Sequence, residues 1–180
     1  MLESSIIGAQ LVLTPLTLDD APRLFEYRSD PAVRRFQCFE PESVEDACAF
    51  IRATMSGAAG WRQFGIRMQG SPLLVGDVGF RFIDDERPQA EVGVTIAPEQ
   101  QGRGLAKQVM TVLLGHLFAE LDVHRAFASV DPRNTASVAL FRRLGMRQEG
   151  HFRQSLWFKG EWADDIVFAL LKTEWQHATV

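Results

Sequence analysis

Three apolar-rich runs, "WRQFGIRM" (61–68), "LLVGDVGFRFI" (73–83) and "AEVGVTIA" (90–97), are followed from Leu105 by a change of hydrophobic period. No other feature restricts the fold as much. The gaps "QGSP" and "DDERPQ" are strong turn compositions, so the three runs predict an antiparallel meander. Beyond them Leu105, Val109, Val112, Leu113 and Leu117 fall on one helical face, which predicts a helix ending near Asp122.

The flanking segments extend the pattern. "LVLTPL" reads as a first strand, and Thr17 as the cap of a helix running to about Arg28, with Asp19 and Asp20 near its positive end. "SDP" closes that helix, Ser43 with Asp46 forms a capping box for the next one, and Gly57 and Gly60 end it. Val44, Ala47, Cys48, Ile51 and Met55 form its apolar stripe, which makes core packing the role expected of Cys48. "HRAFASV" predicts a strand, Asn134 to Leu144 a helix closed by Gly145, and "RQEGHFRQSLWF" with "DDIVFALL" a final hairpin around "KGEW". The expected order is β-α-α-β-β-β-α-β-α-β-β.

No repeat, low-complexity stretch or linker divides the 180 residues, so residues 1–180 are expected to form one domain. A chain of this length, 46% hydrophobic, can bury roughly 70% of its unfolded surface. A net charge of −4 supplies no general basic field for nucleic acid, and no apolar run reaches the length of a membrane span. Cys38 and Cys48 lack the spacing of a zinc site and the number of a disulfide scaffold; His116, His124, His151 and His177 are scattered. No metal is expected, and a cytoplasmic setting is.

The stretch Gln101-Gly102-Arg103-Gly104-Leu105-Ala106 lies between a strand and a helix start. There unpaired N–H groups and the helix dipole favour an anion, and glycine lets the backbone come close to it. Lys107 breaks the dinucleotide pattern G-x-G-x-x-G, and the spacing breaks the phosphate-loop pattern. An ordinary tight turn would look the same by itself.

Gln101-x-x-Gly104-x-Ala106 resembles the Q/R-x-x-G-x-G/A signature of the GNAT acyltransferase superfamily. "DPRNTASVALFRRLGMRQEG" is similar to the helix and turn of its RimJ/RimL-like branch, and "KGEWADDIVFALLKTEW" to that branch's C-terminal hairpin. The resemblance spans about residues 9 to 175. It implies an α/β (α+β) fold with a central mixed, largely antiparallel sheet of about seven strands flanked by about four helices. It also implies acetyl-CoA as the acyl donor, its pyrophosphate on the loop of Gln101, Gly102, Arg103, Gly104, Leu105 and Ala106, and its pantetheine arm along the backbone of Val94, Thr95 and Ile96. Arg103 and Lys107 either add positive charge there or form a solvated helix face.

Amine attack on a thioester requires a proton acceptor for the amine, fixed donors for the oxyanion and departure of a thiolate. Glu91 opens the strand that leads into the loop, and alternation places it on one face with Gly93 and Thr95. The resemblance makes it the general base, directly or through water; a solvated strand-end carboxylate is the plainer alternative. Asn134 is suited to cap its helix, and Ser137 to an early helical position. By resemblance Asn134 contacts CoA, and Ser137 contacts it or gives a proton to the leaving sulfur. Phe141 departs from the family pattern, since many members carry Tyr there as the acid, and Tyr27 is the only tyrosine of this chain.

The acidic turn Asp84, Asp85 and Glu86 and the pair Asp164–Asp165 read as solvated runs, and Trp157 with Trp162 as hairpin packing. Arg34, Arg35 and Phe36 fall in the segment joining the first two helices, which helps form the acceptor site in relatives. The resulting expectation is an acyl-CoA-dependent N-acyltransferase acting on a protein N-terminus or a small-molecule amine, in a monomer or homodimer. A noncatalytic acyl-CoA-binding or regulatory module is the alternative.

Overall fold

The three apolar-rich runs are realised in strands, and the 3.6-residue period after them in a helix. The computed structural model describes residues 5–56, 60–83 and 88–178. Its strands are β1 (Ile6–Ile7), β2 (Leu11–Pro15), β3 (Arg62–Met68), β4 (Leu74–Phe82), β5 (Gln89–Ile96), β6 (Arg125–Val130), β7 (Arg147–Phe158) and β8 (Glu161–Leu171). The helices are α1 (Ala21–Arg28), α2 (Pro31–Arg34), α3 (Val44–Met55), α4 (Leu105–Ala119), α5 (Thr135–Arg143) and α6 (Lys172–Ala178). Short 3₁₀ turns occupy Leu18–Asp20 and Pro98–Gln100. The sheet order is β1-β2-β3-β4-β5-β6-β8-β7; the β1 to β4 pairings are antiparallel, β5 and β6 run parallel, and β6-β8-β7 is antiparallel again.

This is the mixed, largely antiparallel sheet that was expected, with one more strand and two more helices. The two-residue β1 is too short to show a period. In α2 the Asp30 carboxylate accepts the Ala32 N–H and caps a single turn opened by Pro31. β8 begins at Glu161 rather than Asp164, because Lys159 and Gly160 both take positive φ, 51° and 82°, and close a two-residue hairpin turn. Gly57 and the acidic turn Asp84–Glu86 lie outside the described residues.

The chain divides into two compact units, residues 1–81 with 93–113, and residues 82–92 with 114–180. In the first, Leu16, Leu24, Tyr27, Ala47, Ile51 and Leu74 form a buried cluster joined by Phe39, Val44, Cys48 and Phe50. Cys48 thus packs as expected, whereas Met55 at the end of its stripe is exposed. The capping box of α3 forms as the sequence predicts, Asp46 N–H donating to Ser43 Oγ and Ser43 N–H to the Asp46 carboxylate. Thr17 instead caps the 3₁₀ turn before α1, through the Asp20 carboxylate.

Under that cluster lies a charge. Asp77 is fully buried and accepts from Tyr27 Oη at 2.6 Å, from Arg28 Nε at 3.1 Å and Nη2 at 2.5 Å, and from Gln63 Nε2. Phe39 and Phe50, stacked with centroids 4.2 Å apart, each lie 5.5 Å from the Arg28 guanidinium. Burial first, and then the negative Asp77, push the Tyr27 phenol well above its ordinary value.

In the second unit Ala126, Ala128 and Val130 of β6 and Ile166, Phe168 and Leu170 of β8 turn inward, with Leu114, Leu117 and Phe118 from the end of α4 among the buried residues. The Trp157 and Trp162 rings meet edge to face across the hairpin, 5.3 Å apart, and both are more than half exposed. Their role is cross-strand pairing.

Candidate active site

β5 carries the first elements of the site. Ala97 N–H donates to the Val75 carbonyl of β4 at 3.0 Å, and Gly76 of β4 lies so near the Thr95 carbonyl that a Cβ would not fit. Strand alternation then directs the backbone groups of Thr95 towards β4, and those of Val94 and Ile96 to the other edge. The ladder to β6 takes in Gln89, Ala90 and Glu91, opposite Arg125, Ala126 and Phe127, so Val94 and Ile96 lie beyond it. Of the three residues expected along an extended ligand, Val94 and Ile96 have their backbone groups on the edge away from β4; Val94 is half-buried, and Thr95 and Ile96 are both buried, at 6% and 8% exposure.

The loop follows directly. After the 3₁₀ turn, Gly102 and Gly104 have φ of 76° and 75°, a left-handed conformation that other residues adopt only under strain. Gln101 turns its side chain back, donating Nε2 to the Ile96 carbonyl at 2.9 Å. Its carboxamide thereby ties the loop to the end of β5. Gln108 N–H returns to the Gly104 carbonyl, so the N–H groups of Leu105, Ala106 and Lys107 have no partner within α4. Leu105 is buried and anchors the helix start, while Gly102, Arg103, Gly104 and Lys107 are exposed. Space next to both glycines is open: a Cβ on either would meet no atom within 4 Å. Arg103 Nη1 contacts Gln100 Oε1 at 3.3 Å.

The second unit holds the remaining candidates. Glu91 is half-buried and registers with Phe127 across the parallel ladder. Asn134 caps α5, its Oδ1 accepting the Ser137 N–H at 3.1 Å, which joins these two residues in one motif. Ser137 is half-buried. Phe141 is 4% exposed and stacks on Phe168 with centroids 6.0 Å apart. Asp164 and Asp165 are not merely solvated: Asp164 bonds His151 Nε2 at 2.8 Å, and Asp165 accepts from Ser129 Oγ at 2.7 Å. Among the described residues no group of three or more His, Cys, Asp or Glu is arranged to hold a metal ion.

One side-chain contact on β5 went unread in the sequence. The Trp61 indole lies over Gly93, on the face of β5 that alternation also gives to Glu91, and Arg81 stacks on the indole at 5.4 Å. An isolated glycine inside a strand, here between Val92 and Val94, was the available signal.

A family model for the acetyltransferase (GNAT) domain matches residues 10–147. The N-acetyltransferase p20 of Bacillus licheniformis is 32% identical over 171 residues, 92% of this chain and 95% of its own. The crystal structure of a GNAT-family acetyltransferase from Bacillus anthracis matches with a TM-score of 0.87 at 27% identity, over 95% of this chain and all of that one. The ribosomal protein uS5-alanine N-acetyltransferase of Escherichia coli (strain K12) is 31% identical over 84 residues, 47% of this chain and 43% of the relative. The sheet, the loop and these matches define an N-acetyltransferase. The chain belongs to the GNAT acetyltransferase family, and its homologues include ribosomal-protein N-acetyltransferases of the RimJ/RimL-like kind.

Proposed function

We propose that the protein transfers acetyl from acetyl-CoA to a primary amine by direct attack, the acceptor being a protein N-terminus or a small-molecule amine. The observation that carries this reading is the loop of Gly102 and Gly104: a left-handed backbone with open space beside it, opening a helix whose first N–H groups lack intrahelical partners. A pyrophosphate is the chemical group such a loop suits. In this reading Gln101, Gly102, Arg103, Gly104, Leu105 and Ala106 hold it, Gln101 by shaping the loop and Leu105 by anchoring it. Val94 and Ile96 offer backbone groups to the pantetheine amides, with Thr95 fixing the strand between them. Asn134, whose Oδ1 is used by the cap, has its NH₂ to offer CoA.

The amine nitrogen attacks the thioester carbon, its proton passes to Glu91 directly or through water, and the carbon–sulfur bond breaks as the carbonyl re-forms. The sulfur leaves as thiolate and takes a proton from Ser137 or from water. A thiol of ordinary pKa, about 8.5, is a tolerable leaving group near neutrality, which accommodates the phenyl ring of Phe141 where a phenol would otherwise stand. The same proposal treats the chain as one domain, since the family match takes in parts of both units. A reducing, cytoplasmic setting suits the two free cysteines, and a homodimer is a compatible assembly.

The deciding experiment measures thiol release from acetyl-CoA against a panel of peptide N-termini and small amines. Release that depends on the added amine and yields the N-acetylated product is expected. Saturable CoA binding with no amine-dependent release across the panel would reject the reading.

A further inference from the structure

Glu99 is the only acidic residue from Pro98 to Lys107, the stretch that forms the 3₁₀ turn and the glycine loop. A free carboxylate three residues before Gly102 would oppose an anion on that loop, because like charges close together repel. Glu99 is not free. Arg23 of α1 donates from Nη2 to Glu99 Oε1, from Nη1 to Glu26 Oε2 at 2.7 Å and from Nε to the Leu74 carbonyl at 3.1 Å. All three guanidinium nitrogens are thus engaged, and the group lies 5.8 Å from the centroid of the Tyr27 ring. Below this clasp Leu24 and Tyr27 of α1, Leu74 of β4 and Ala97 at the head of the turn share one buried cluster, and the Ala97 N–H is held by the Val75 carbonyl. Packing therefore fixes the place from which Arg23 reaches Glu99. Arg23, Glu26, Leu74, Glu99 and the loop all belong to the first compact unit.

We infer that Arg23 is a positioning residue for the acyl donor: it neutralises Glu99 and holds that carboxylate against α1, so that the one acidic side chain of the turn does not oppose the pyrophosphate. Arg23 acts through Glu99 and touches neither donor nor acceptor in this role. An arginine suits the task, since its rigid fork presents N–H groups in fixed directions to three acceptors at once, which a lysine ammonium on its flexible stem does not. The Glu99 side chain is 51% exposed, and an ion pair so open to water adds little to folding stability. Its effect is expected in donor binding rather than in Tm. This inference rests on residues 101–106 as the pyrophosphate site.

The test measures CoA affinity by calorimetry, and kcat and KM with one accepted amine for two donors: acetyl-CoA, and S-acetylpantetheine, which carries the thioester without the pyrophosphate. In Arg23→Ala the Kd for CoA and the KM for acetyl-CoA should rise about two- to fivefold, the size of an exposed charge interaction, with kcat and the KM for S-acetylpantetheine unchanged. The factor should shrink between about 0.1 M and 1 M salt, as the screening length falls from about 10 Å to 3 Å. Adding Glu99→Gln to Arg23→Ala should restore the affinity. Adding Glu26→Gln instead returns the same net charge, but on α1, and should restore less. Glu99→Gln alone, at an exposed position, probes the same point without disturbing α1, and its CoA affinity should hold or rise. Unchanged CoA affinity in Arg23→Ala, an equal loss with S-acetylpantetheine, equal rescue by the two Gln substitutions or weaker binding in Glu99→Gln overturns the inference and leaves the loop as the pyrophosphate site. A wild type with the same KM for both donors removes that site, and the role of Arg23 with it.

Discussion

Phe141 and Phe168 stack with interplanar angle 24° and centroids 6.0 Å apart, joining α5 to β8 inside the second unit. At the position where many relatives place a proton-donating phenol, this chain has a packing residue. Phe141→Ala should lower stability by about 3–5 kcal/mol, the usual result of emptying a buried aromatic site. Urea unfolding followed by fluorescence would show it; a loss well under 1 kcal/mol would mean the ring is not a core element.

Asp77 supports the first unit in a different way. Removing its carboxylate strands the buried Arg28 charge, so Asp77→Ala should lower stability by about 3–5 kcal/mol. Tyr27→Phe deletes one hydrogen bond and should be milder, about 1–2 kcal/mol. Denaturant midpoints for the two variants test the order as well as the size.

The raised Tyr27 phenol also gives a pH dependence with a definite sign. The folded state holds this proton more tightly than the unfolded chain, whose tyrosine titrates near pH 10. The contribution is complete below that pH and is lost as pH rises from there towards the folded value. Stability should fall with alkali above about pH 10, and fall less steeply in Tyr27→Phe. Parallel slopes for the two proteins would contradict the assignment.

Substitutions at Gly104 separate conformation from space. A Cβ meets nothing there, but φ of 75° costs a non-glycine residue roughly 1–2 kcal/mol, so Gly104→Ala should already reshape the loop and Gly104→Val do so more strongly. CoA affinity by calorimetry should fall in that order, while thermal unfolding stays cooperative. Wild-type affinity in a folded Gly104→Val would exclude the loop from pyrophosphate binding.

Glu91→Gln nearly preserves shape while removing the carboxylate proposed as the base. If proton transfer limits turnover, the rate near neutrality should drop by roughly 10² or more with CoA affinity little changed. An ammonium acceptor titrates near pH 10, so the deficit should narrow as pH rises and more acceptor arrives deprotonated. A pH–rate series on both proteins distinguishes this from a structural role, which predicts a deficit that pH does not relieve.

Elements with a long period or a definite cap were legible in the sequence. The apolar runs and turn compositions of 61–97, the stripe of α4, the Ser43–Asp46 box and the Asn134 cap all read directly from local chemistry. Elements of one turn or two residues, β1 and α2, carry too few residues to establish a period, and the C-terminal α6 was also missed. The glycine loop was visible because its conformation is a local demand. The clasp of Asp77 on Arg28 and Tyr27 was not, because its partners stand 49 and 50 residues apart and nothing local at Asp77 marks it as buried. The Trp61 contact on Gly93 was hidden for the same reason: the glycine inside β5 signals a close approach, but nothing local says that Trp61 is what lies over it.

The bond from Gln101 Nε2 to the Ile96 carbonyl makes strand and loop a single preorganised piece. A donor that meets such a surface has little backbone left to order, so the entropic penalty of forming the site is borne at folding rather than at each encounter. Breaking the brace with Gln101→Leu would return that penalty to the binding step, and the weakening should appear mainly as a less favourable binding entropy, with the proposed phosphate contacts made by a loop that must first find its shape.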